Sequence, residues 1–332
     1  MIRLVQLAKG AERRVAVVEE PRLRFLKKHF SVYARAEAAM EAGGKLKPLI
    51  ETLMGNETIE YDAVYNGKCP WRLMAPIDHP AESSRLLVSG TGLTHLGSAK
   101  NRNAMHGASE HETDSMKMFR WGVEKGRPAT GEIGISPEWF FKGTGAILRA
   151  HREALPVPAY AEDGGEEAEI VGVYVIDSGG RPHRIGMTQG NEFSDHIFEK
   201  KNYLNLAGSK IRPCSIGPEL VIDAAFGTVP GEVAIERAGK VVWSKGIATG
   251  EAEMCHSLAN IEHHHFKFET HRRPGDVHVH YYGACALSFG DGVRLLDGDV
   301  MSVRFDGYGR ALRNPLAVAE RSGLPVVVAA LT

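Results

Sequence analysis

The sequence predicts an α+β fold rich in strands, with a small N-terminal α/β domain over residues 1–75 and a larger domain over residues 76–332. From residue 85 onward, short apolar runs alternate with glycine and proline turns, which is typical of short strands. The 37 glycines allow many tight turns. Prolines interrupt the pattern between residues 70 and 80, and we place the domain boundary there.

The N-terminal domain is predicted to contain strands and a helix. Residues 14–18 form a β-type apolar run. Ser31 is expected to cap a helix that continues through Ala42 and ends at Gly43, and a second helical piece is expected over residues 49–54. In the larger domain, the apolar runs that predict strands cover residues 86–88, 170–176, 220–222, 241–243, 277–279 and 300–305.

Composition and charge narrow the class of protein. Of 332 residues, 43% are hydrophobic and 24% are charged, as in ordinary globular chains. Lys and Arg number 40 against 41 Asp and Glu, so no net charge favours nucleic acid or an acidic membrane as a partner. The N-terminus lacks the apolar core of a signal peptide, and no apolar stretch approaches the length of a membrane span.

The cysteines are expected to be reduced thiols. Cys69, Cys214, Cys255 and Cys285 lie far apart in the chain, and no CxxC pair occurs. Together with the N-terminus, this pattern predicts a cytoplasmic protein without a disulfide framework.

A pair of carboxylates opens the most informative predicted strand. Glu167 and Glu169 precede an apolar run, and side chains two residues apart on a strand share a face. Two carboxylates near a core repel each other and lose hydration, and a divalent cation such as Mg²⁺, Mn²⁺ or Ca²⁺ would remove that cost. Acidic pairs at the start of strands are common, so the pair by itself favours a solvated strand entrance.

Five sequence segments, taken in their order along the chain, strengthen the prediction that Glu167 and Glu169 bind a divalent cation. They are the strand with Glu167 and Glu169; Asp195; Ser209-Lys210 followed by residues 216–218; the turn at residues 273–276; and residues 296–299 followed by 305–309 and 314–315. This ordered set resembles the fumarylacetoacetate hydrolase superfamily, and residues 137–143 resemble the segment that leads into its acidic strand. The resemblance covers residues 85–315.

The resemblance implies a mixed β-roll or β-sandwich, assembled as a homodimer, with Mg²⁺ held by three acidic residues. Carried over by position, these residues are Glu167, Glu169 and Asp195, with Glu192 as the alternative to Asp195. Lys210 matches the lysine that faces the substrate. One departure concerns residues 279–283, which stand where the family often has Thr-Gly-Thr, so the substrate pocket is expected to differ there.

Within the superfamily, residues 90–95 with Ser98 and Arg102 are similar to a glycine-initiated loop of the 2-keto-3-deoxy sugar-acid dehydratases. The resemblance therefore implies a metal-dependent lyase that removes water from a 2-keto-3-deoxypentonate to give a 2,5-dioxo acid. Lys210 and His106 are expected to act in catalysis. The residues expected to bind a 2-oxo sugar acid are Thr94, Ser98, Arg102 and Lys142.

Two other functions stay open from the sequence. The same metal site could serve a C–C bond hydrolase or a decarboxylase that acts on a 2,4-dioxo acid, because one scaffold supports several reactions. A non-catalytic sugar-acid binding protein is the third possibility. The histidine run 263–265 with His271, His278 and His280 first suggests zinc, but HExxH is absent and successive histidines on a helix point in different directions.

Overall fold

The computed structural model describes residues 1–28, 31–97, 99–100, 113–320 and 324–331. Seven α-helices lie wholly within these residues. They are α1 (Val32–Glu41), α2 (Leu46–Thr52), α3 (Tyr61–Tyr65), α4 (Asp114–Lys125), α5 (His196–Lys201), α6 (Leu206–Lys210) and α7 (Leu258–Phe266). None of the described helices is long and apolar enough to cross a bilayer.

Strands make up most of the regular structure. The first nine are β1 (Ile2–Lys9), β2 (Glu12–Glu19), β3 (Arg22–Leu26), β4 (Met54–Glu60), β5 (Arg72–Leu73), β6 (Leu86–Gly92), β7 (Glu138–Thr144), β8 (Leu148–Arg149) and β9 (Leu155–Val157). The others are β10 (Ala168–Ile176), β11 (Pro182–Asn191), β12 (Cys214–Ile216), β13 (Leu220–Ile222), β14 (Val229–Arg237), β15 (Lys240–Thr249), β16 (Val277–Tyr281), β17 (Val300–Phe305) and β18 (Leu312–Val318).

Two mixed sheets organise these strands. The larger has 13 strands, with the order β4-β3-β2-β1-β13-β11-β10-β16-β6-β7 and short strands β5, β8 and β12 beside this path. The smaller has five strands in the order β15-β14-β17-β18-β9. Most neighbours are antiparallel, while β16 with β6, β18 with β9 and β12 with β8 are parallel. The predicted β-rich α+β class is therefore confirmed.

Strand β10 lies at the centre of the larger sheet and is buried along its whole length. Val171, Val173 and Val175 face the core that contains Val277 and Val279 of β16. Ile170 lies in a separate core, shared with the smaller sheet. A strand that is buried on both faces has a continuous apolar sequence. Such a run at residues 170–176 is the reason that the sequence predicted this strand.

The N-terminal segment joins the larger sheet directly. Ile2 of β1 pairs with Ile222 of β13, so the sheet continues across the expected domain boundary. The predicted helix cap is confirmed, because the Ser31 side chain accepts a hydrogen bond from the Ala34 amide at the start of α1. The division at residue 75 stays a prediction.

Candidate metal and substrate site

Strand pairing brings the predicted carboxylates together. Strands β10 and β11 are antiparallel, with Glu169 opposite Gly190 and Ala168 opposite Asn191. The start of β10 therefore lies beside the residue that follows β11, which is Glu192. The amide of Glu192 donates to the main-chain oxygen of Glu167 at 2.9 Å, which fixes the two chain segments to each other.

Glu167, Glu169 and Glu192 form the carboxylate cluster of this site. One carboxylate oxygen from each lies within 4.8 Å of those of the other two, and all three residues are buried. Hard oxygen donors at this spacing are the ligands that Mg²⁺, Mn²⁺ or Ca²⁺ prefer. The donor set therefore fits a divalent cation.

Asp195 lies outside this cluster, which corrects the expectation that it supplies the third carboxylate. Its Oδ1 accepts from the amide of Phe198 and caps α5. Its Oδ2 accepts from Arg212 at 3.0 Å and from the amide of Glu162 at 2.9 Å. Three donors hold this carboxylate in a structural role, and Glu192, the alternative in the sequence analysis, takes the position in the cluster.

Two lysines compensate the negative charge. Lys210, at the end of α6, donates to Glu167 Oε1 and Glu192 Oε2, both at 2.6 Å, and to Ser194 Oγ at 3.0 Å. Lys142, on β7, donates to the Glu192 side chain and to its main-chain oxygen. Lys142 is fully buried and contacts Glu192 from outside the pocket, so the structure does not place it where the predicted substrate contact requires.

The three carboxyl groups titrate differently. Burial alone would raise the pKa of Glu167, but Lys210 and His196 outweigh it and hold that pKa well below its usual range. Burial, followed by repulsion from Glu192 and Glu167, raises the pKa of Glu169 well above its usual range. Burial also raises the pKa of Glu192, although both lysines oppose this shift. Glu169 is thus the carboxyl that most lacks a compensating positive charge.

A glycine turn supplies the main-chain contact of Glu169. The Gly283 amide donates to Glu169 Oε2 at 2.7 Å. Gly283 has a φ of +107°, and a Cβ there would lie 1.9 Å from the hydroxyl oxygen of Thr94. The Thr94 hydroxyl donates to the main-chain oxygen of Tyr282 at 2.8 Å, so this residue holds the turn and does not line the pocket expected for it.

A small pocket opens beside the cluster. Its lining residues are Gly92, Leu93, Phe140, Glu167, Glu169, His196, Glu199, Lys210, Ala284 and Leu287. Half of these residues are glycine or apolar, and the other half are ionisable. Three of the residues predicted for this region, Ser98, Arg102 and His106, lie outside the described residues.

The sequence analysis did not single out His196 or Glu199. Nε2 of His196 donates to Glu167 Oε1 at 3.1 Å, and this contact outweighs burial and raises the histidine pKa. Glu199 is buried on α5, with a carboxylate oxygen 3.9 Å from Lys210 Nζ. His196 and Glu199 follow Asp195 within four residues. The concentration of ionisable residues in that stretch was the feature of the sequence that could have identified them.

Histidines of α7 and β16 form a separate network with two hydroxyl groups of β6. The described contacts are Nε2 of His265 with Nδ1 of His278 at 3.0 Å, and His280 with Ser89 at 2.8 Å and with Thr91 at 2.7 Å. Burial, aided by neighbouring histidines, lowers the pKa of His278 and of His280 to about 3. These rings are neutral hydrogen-bonding groups of the interior.

No protein-family model matches the sequence, and no curated protein matches it. Solved structures do match. A 2-keto-3-deoxy-D-arabinonate dehydratase complexed with magnesium and 2,5-dioxopentanoate has a TM-score of 0.70 at 19% identity, covering 96% of this chain and 99% of that chain. A hexagonal crystal form of 2-keto-3-deoxyarabinonate dehydratase gives 0.71 at 18% identity, with the same coverage of 96% and 99%.

A 2-hydroxyhepta-2,4-diene-1,7-dioate isomerase from Mycobacterium marinum is also similar, with a TM-score of 0.57 at 17% identity, covering 96% of this chain and 99% of that chain. At these identities the likeness establishes the fold. The fold expected from the sequence is therefore the fold of these dehydratase and isomerase structures.

Proposed function

We propose that this chain is a Mg²⁺-dependent hydro-lyase that dehydrates a 2-keto-3-deoxypentonate, such as 2-keto-3-deoxyarabinonate, to a 2,5-dioxo acid. The observation that carries the proposal is the buried cluster of Glu167, Glu169 and Glu192 beside Lys210, in which Glu167, Glu169 and Lys210 line a pocket. A dehydratase with the same fold contains magnesium and 2,5-dioxopentanoate, which supports this choice of substrate class.

The three carboxylates of the cluster would hold the cation, with Mn²⁺ or Ca²⁺ as possible substitutes. When bound, Mg²⁺ would draw charge from the keto oxygen of the substrate and acidify the adjacent C–H. Glu169, whose pKa is raised by burial and by its neighbours, would gain the positive charge that the protein itself does not supply.

The chain's own groups would handle the substrate and its protons. Lys210 offers an ammonium group at the wall of the pocket, and its positive charge would stabilise the oxygen on which negative charge develops. Glu199 also lines the pocket and lies outside the carboxylate cluster, so it is our candidate for taking the proton from C3. Phe140 and Leu287 would exclude water from these groups.

A second candidate is a C–C bond hydrolase that acts on a 2,4-dioxo acid. A histidine paired with a carboxylate can activate water for hydrolysis. The hydrogen bond between His196 and Glu167, at the pocket wall, provides such a pair and is the observation that favours this candidate.

Product analysis separates the candidates. Protein treated with a chelator and then supplied with Mg²⁺ would be incubated with 2-keto-3-deoxyarabinonate and followed by NMR. We expect an aldehyde proton and a product with the same number of carbons as the substrate. Two shorter products from a 2,4-dioxo acid would establish the hydrolase, and binding without turnover would indicate a binding protein. Glu169→Gln is the matched inactive control.

A further inference from the structure

Residues 283–288, named here the wall segment, supply two of the side chains that line the pocket. Residues 283–287 lie outside the helices and strands, and Ser288 begins a short 3₁₀-helix. Ala284 and Leu287 line the pocket and are themselves buried. Because the wall segment belongs to no sheet, groups elsewhere in the fold have to fix its position.

Two glutamates at the beginning of β10 hold the two ends of the wall segment. The Gly283 amide donates to Glu169 Oε2 at 2.7 Å. At the other end, the Ser288 amide donates to Glu166 Oε1 and the Ser288 hydroxyl donates to Glu166 Oε2, both at 2.7 Å. Each oxygen of the Glu166 carboxylate is therefore used to fix the position of Ser288.

Glu166 lies outside the carboxylate cluster, although Glu167 is the next residue in the chain. Its side chain has no exposed surface. Burying a carboxylate is costly unless it is hydrogen-bonded, and the two donors of Ser288 compensate for that cost. The contact therefore ties the strand that carries the cluster to the wall of the pocket.

The residue after Ser288 extends this contact to the ionisable side of the pocket. Phe289 packs against His196, with 5.2 Å between the ring centroids. His196 in turn contacts Glu167 Oε1 at 3.1 Å. The position of Ser288 thus affects the apolar lining through Leu287 and a neighbour of the cluster through Phe289.

We propose that Glu166 is a positioning residue of the pocket: by holding Ser288, it fixes Leu287 as a surface against which the carbon chain of a bound 2-oxo acid packs. The inference rests on the function proposed above, because a 2-oxo acid whose oxygens face the cluster leaves its carbon chain to contact the apolar lining. Glu166 itself would bind neither the cation nor the substrate.

Two 2-oxo acids of different length test the role of the wall. Pyruvate and 2-oxopentanoate would be titrated calorimetrically into the wild type and into Glu166→Ala, each saturated with Mg²⁺. The two additional methylene groups of 2-oxopentanoate should give at least ~5-fold tighter binding to the wild type. Glu166→Ala should lose this preference. Its affinity for Mg²⁺ alone should stay within ~2-fold of the wild type, because the three carboxylates of the cluster remain.

Three further variants separate positioning from a general loss of stability. Glu166→Gln should keep the preference, because an amide side chain can hydrogen-bond both groups of Ser288. Ser288→Ala keeps the amide donor and should lose part of the preference. Asp299→Ala is the matched control: Asp299 is also buried and accepts from the amide of Leu296 at 2.8 Å, but it does not line the pocket. It should keep the preference.

Amide hydrogen exchange tests the positioning without any ligand. In Glu166→Ala, the amides of residues 286–290 should exchange at least ~10-fold faster than in the wild type, because the acceptor of the Ser288 amide is lost. Glu166→Gln and Asp299→Ala should exchange there as the wild type does. If Glu166→Ala does not fold, Ser288→Ala decides by the same measurements.

Three results would overturn the proposal. They are unchanged exchange in Glu166→Ala, an unchanged preference for 2-oxopentanoate, and an Mg²⁺ affinity that falls as far as in Glu169→Gln. A wild type that binds Mg²⁺ but neither acid would refute the proposed function, and with it the role of Leu287. The exchange measurement would then still decide whether Glu166 positions the wall segment.

Discussion

Lys142 and Glu192 form an ion pair in which neither side chain has exposed surface. Lys142 also donates to the main-chain oxygens of Glu192 at 2.8 Å and of Phe193 at 3.1 Å. A buried charge is stable only when it is paired and hydrogen-bonded. Lys142 therefore fixes one carboxylate of the cluster from β7 and leaves Lys210 to face the pocket.

Replacing Lys142 with Met should strongly destabilise the protein. The substitution keeps the side-chain length but leaves Glu192 without one of its two lysine partners, and breaking a buried pair costs about 3–5 kcal/mol. The measurement is the free energy of unfolding in urea. Lys117→Met is the control, because the exposed pair of Lys117 with Asp114 at 3.2 Å should contribute less than about 1 kcal/mol. Similar losses in both variants would contradict the prediction.

Glu192→Gln and Asp195→Asn distinguish the two acidic residues. Glu192→Gln should weaken Mg²⁺ binding at least ~10-fold, because it removes a charged oxygen ligand from the cluster. Asp195→Asn should bind Mg²⁺ nearly as the wild type does and lose about 1–2 kcal/mol of stability, since it weakens a helix cap and the contact with Arg212. Calorimetric titration and urea unfolding check both. The reverse pattern would restore Asp195 as the ligand.

Lys210→Ala should separate binding from turnover. The proposed reaction should slow about 100-fold or more, because the positive charge beside the developing negative charge is lost. Mg²⁺ binding should persist, because the three carboxylates remain. Turnover by NMR and Mg²⁺ titration are the two measurements, with Lys201→Ala, whose ammonium pairs with Glu162 at the surface, as the control. Full activity of Lys210→Ala would remove this residue from the mechanism.

The buried histidines predict a loss of stability in mild acid. Burial lowers the folded-state pKa of His280 to about 3, whereas the unfolded value is about 6.5. Between these values the unfolded chain binds the proton and the folded chain does not, so stability falls as the pH drops below about 6.5. At pH 5 one such histidine accounts for on the order of 2 kcal/mol.

Urea unfolding of His280→Gln at pH 7.5 and pH 5 checks this prediction. The variant should be less stable at pH 7.5, because the contacts with Ser89 and Thr91 change. Its further loss between the two pH values should be about 2 kcal/mol smaller than that of the wild type. An equal loss in both proteins would show that His280 does not contribute to the acid sensitivity.

The sequence predicted features that depend on local pattern. The β10 strand follows from an uninterrupted apolar run, and the beginning of α1 follows from Ser31 and the apolar positions after it. Glu167 and Glu169 share a site because strand geometry places alternate side chains on one face.

Features that depend on where a chain segment ends were harder to predict. Glu192 follows directly after β11, whereas Asp195 lies at the cap of α5, and three residues of sequence do not reveal which of the two faces β10. Lys142 reaches Glu192 across 50 residues of chain, a contact without a local signal. The apolar valines of residues 326–328 are visible in the sequence, but their exposure is a property of the folded chain.

The pairing of Ile2 with Ile222 has a consequence for biosynthesis. A ribosome delivers β1, β2 and β3 early, and these can form a hairpin-like unit with one another at once. On the other side of β1, Leu7 and Ala8 can pair with β5, but residues 2–4 have to wait, with their edge open, until residue 222 has left the exit tunnel. During that interval the exposed edge of β1 can pair with the wrong strand. The yield of folded protein in cells should therefore depend on chaperones that shield this edge.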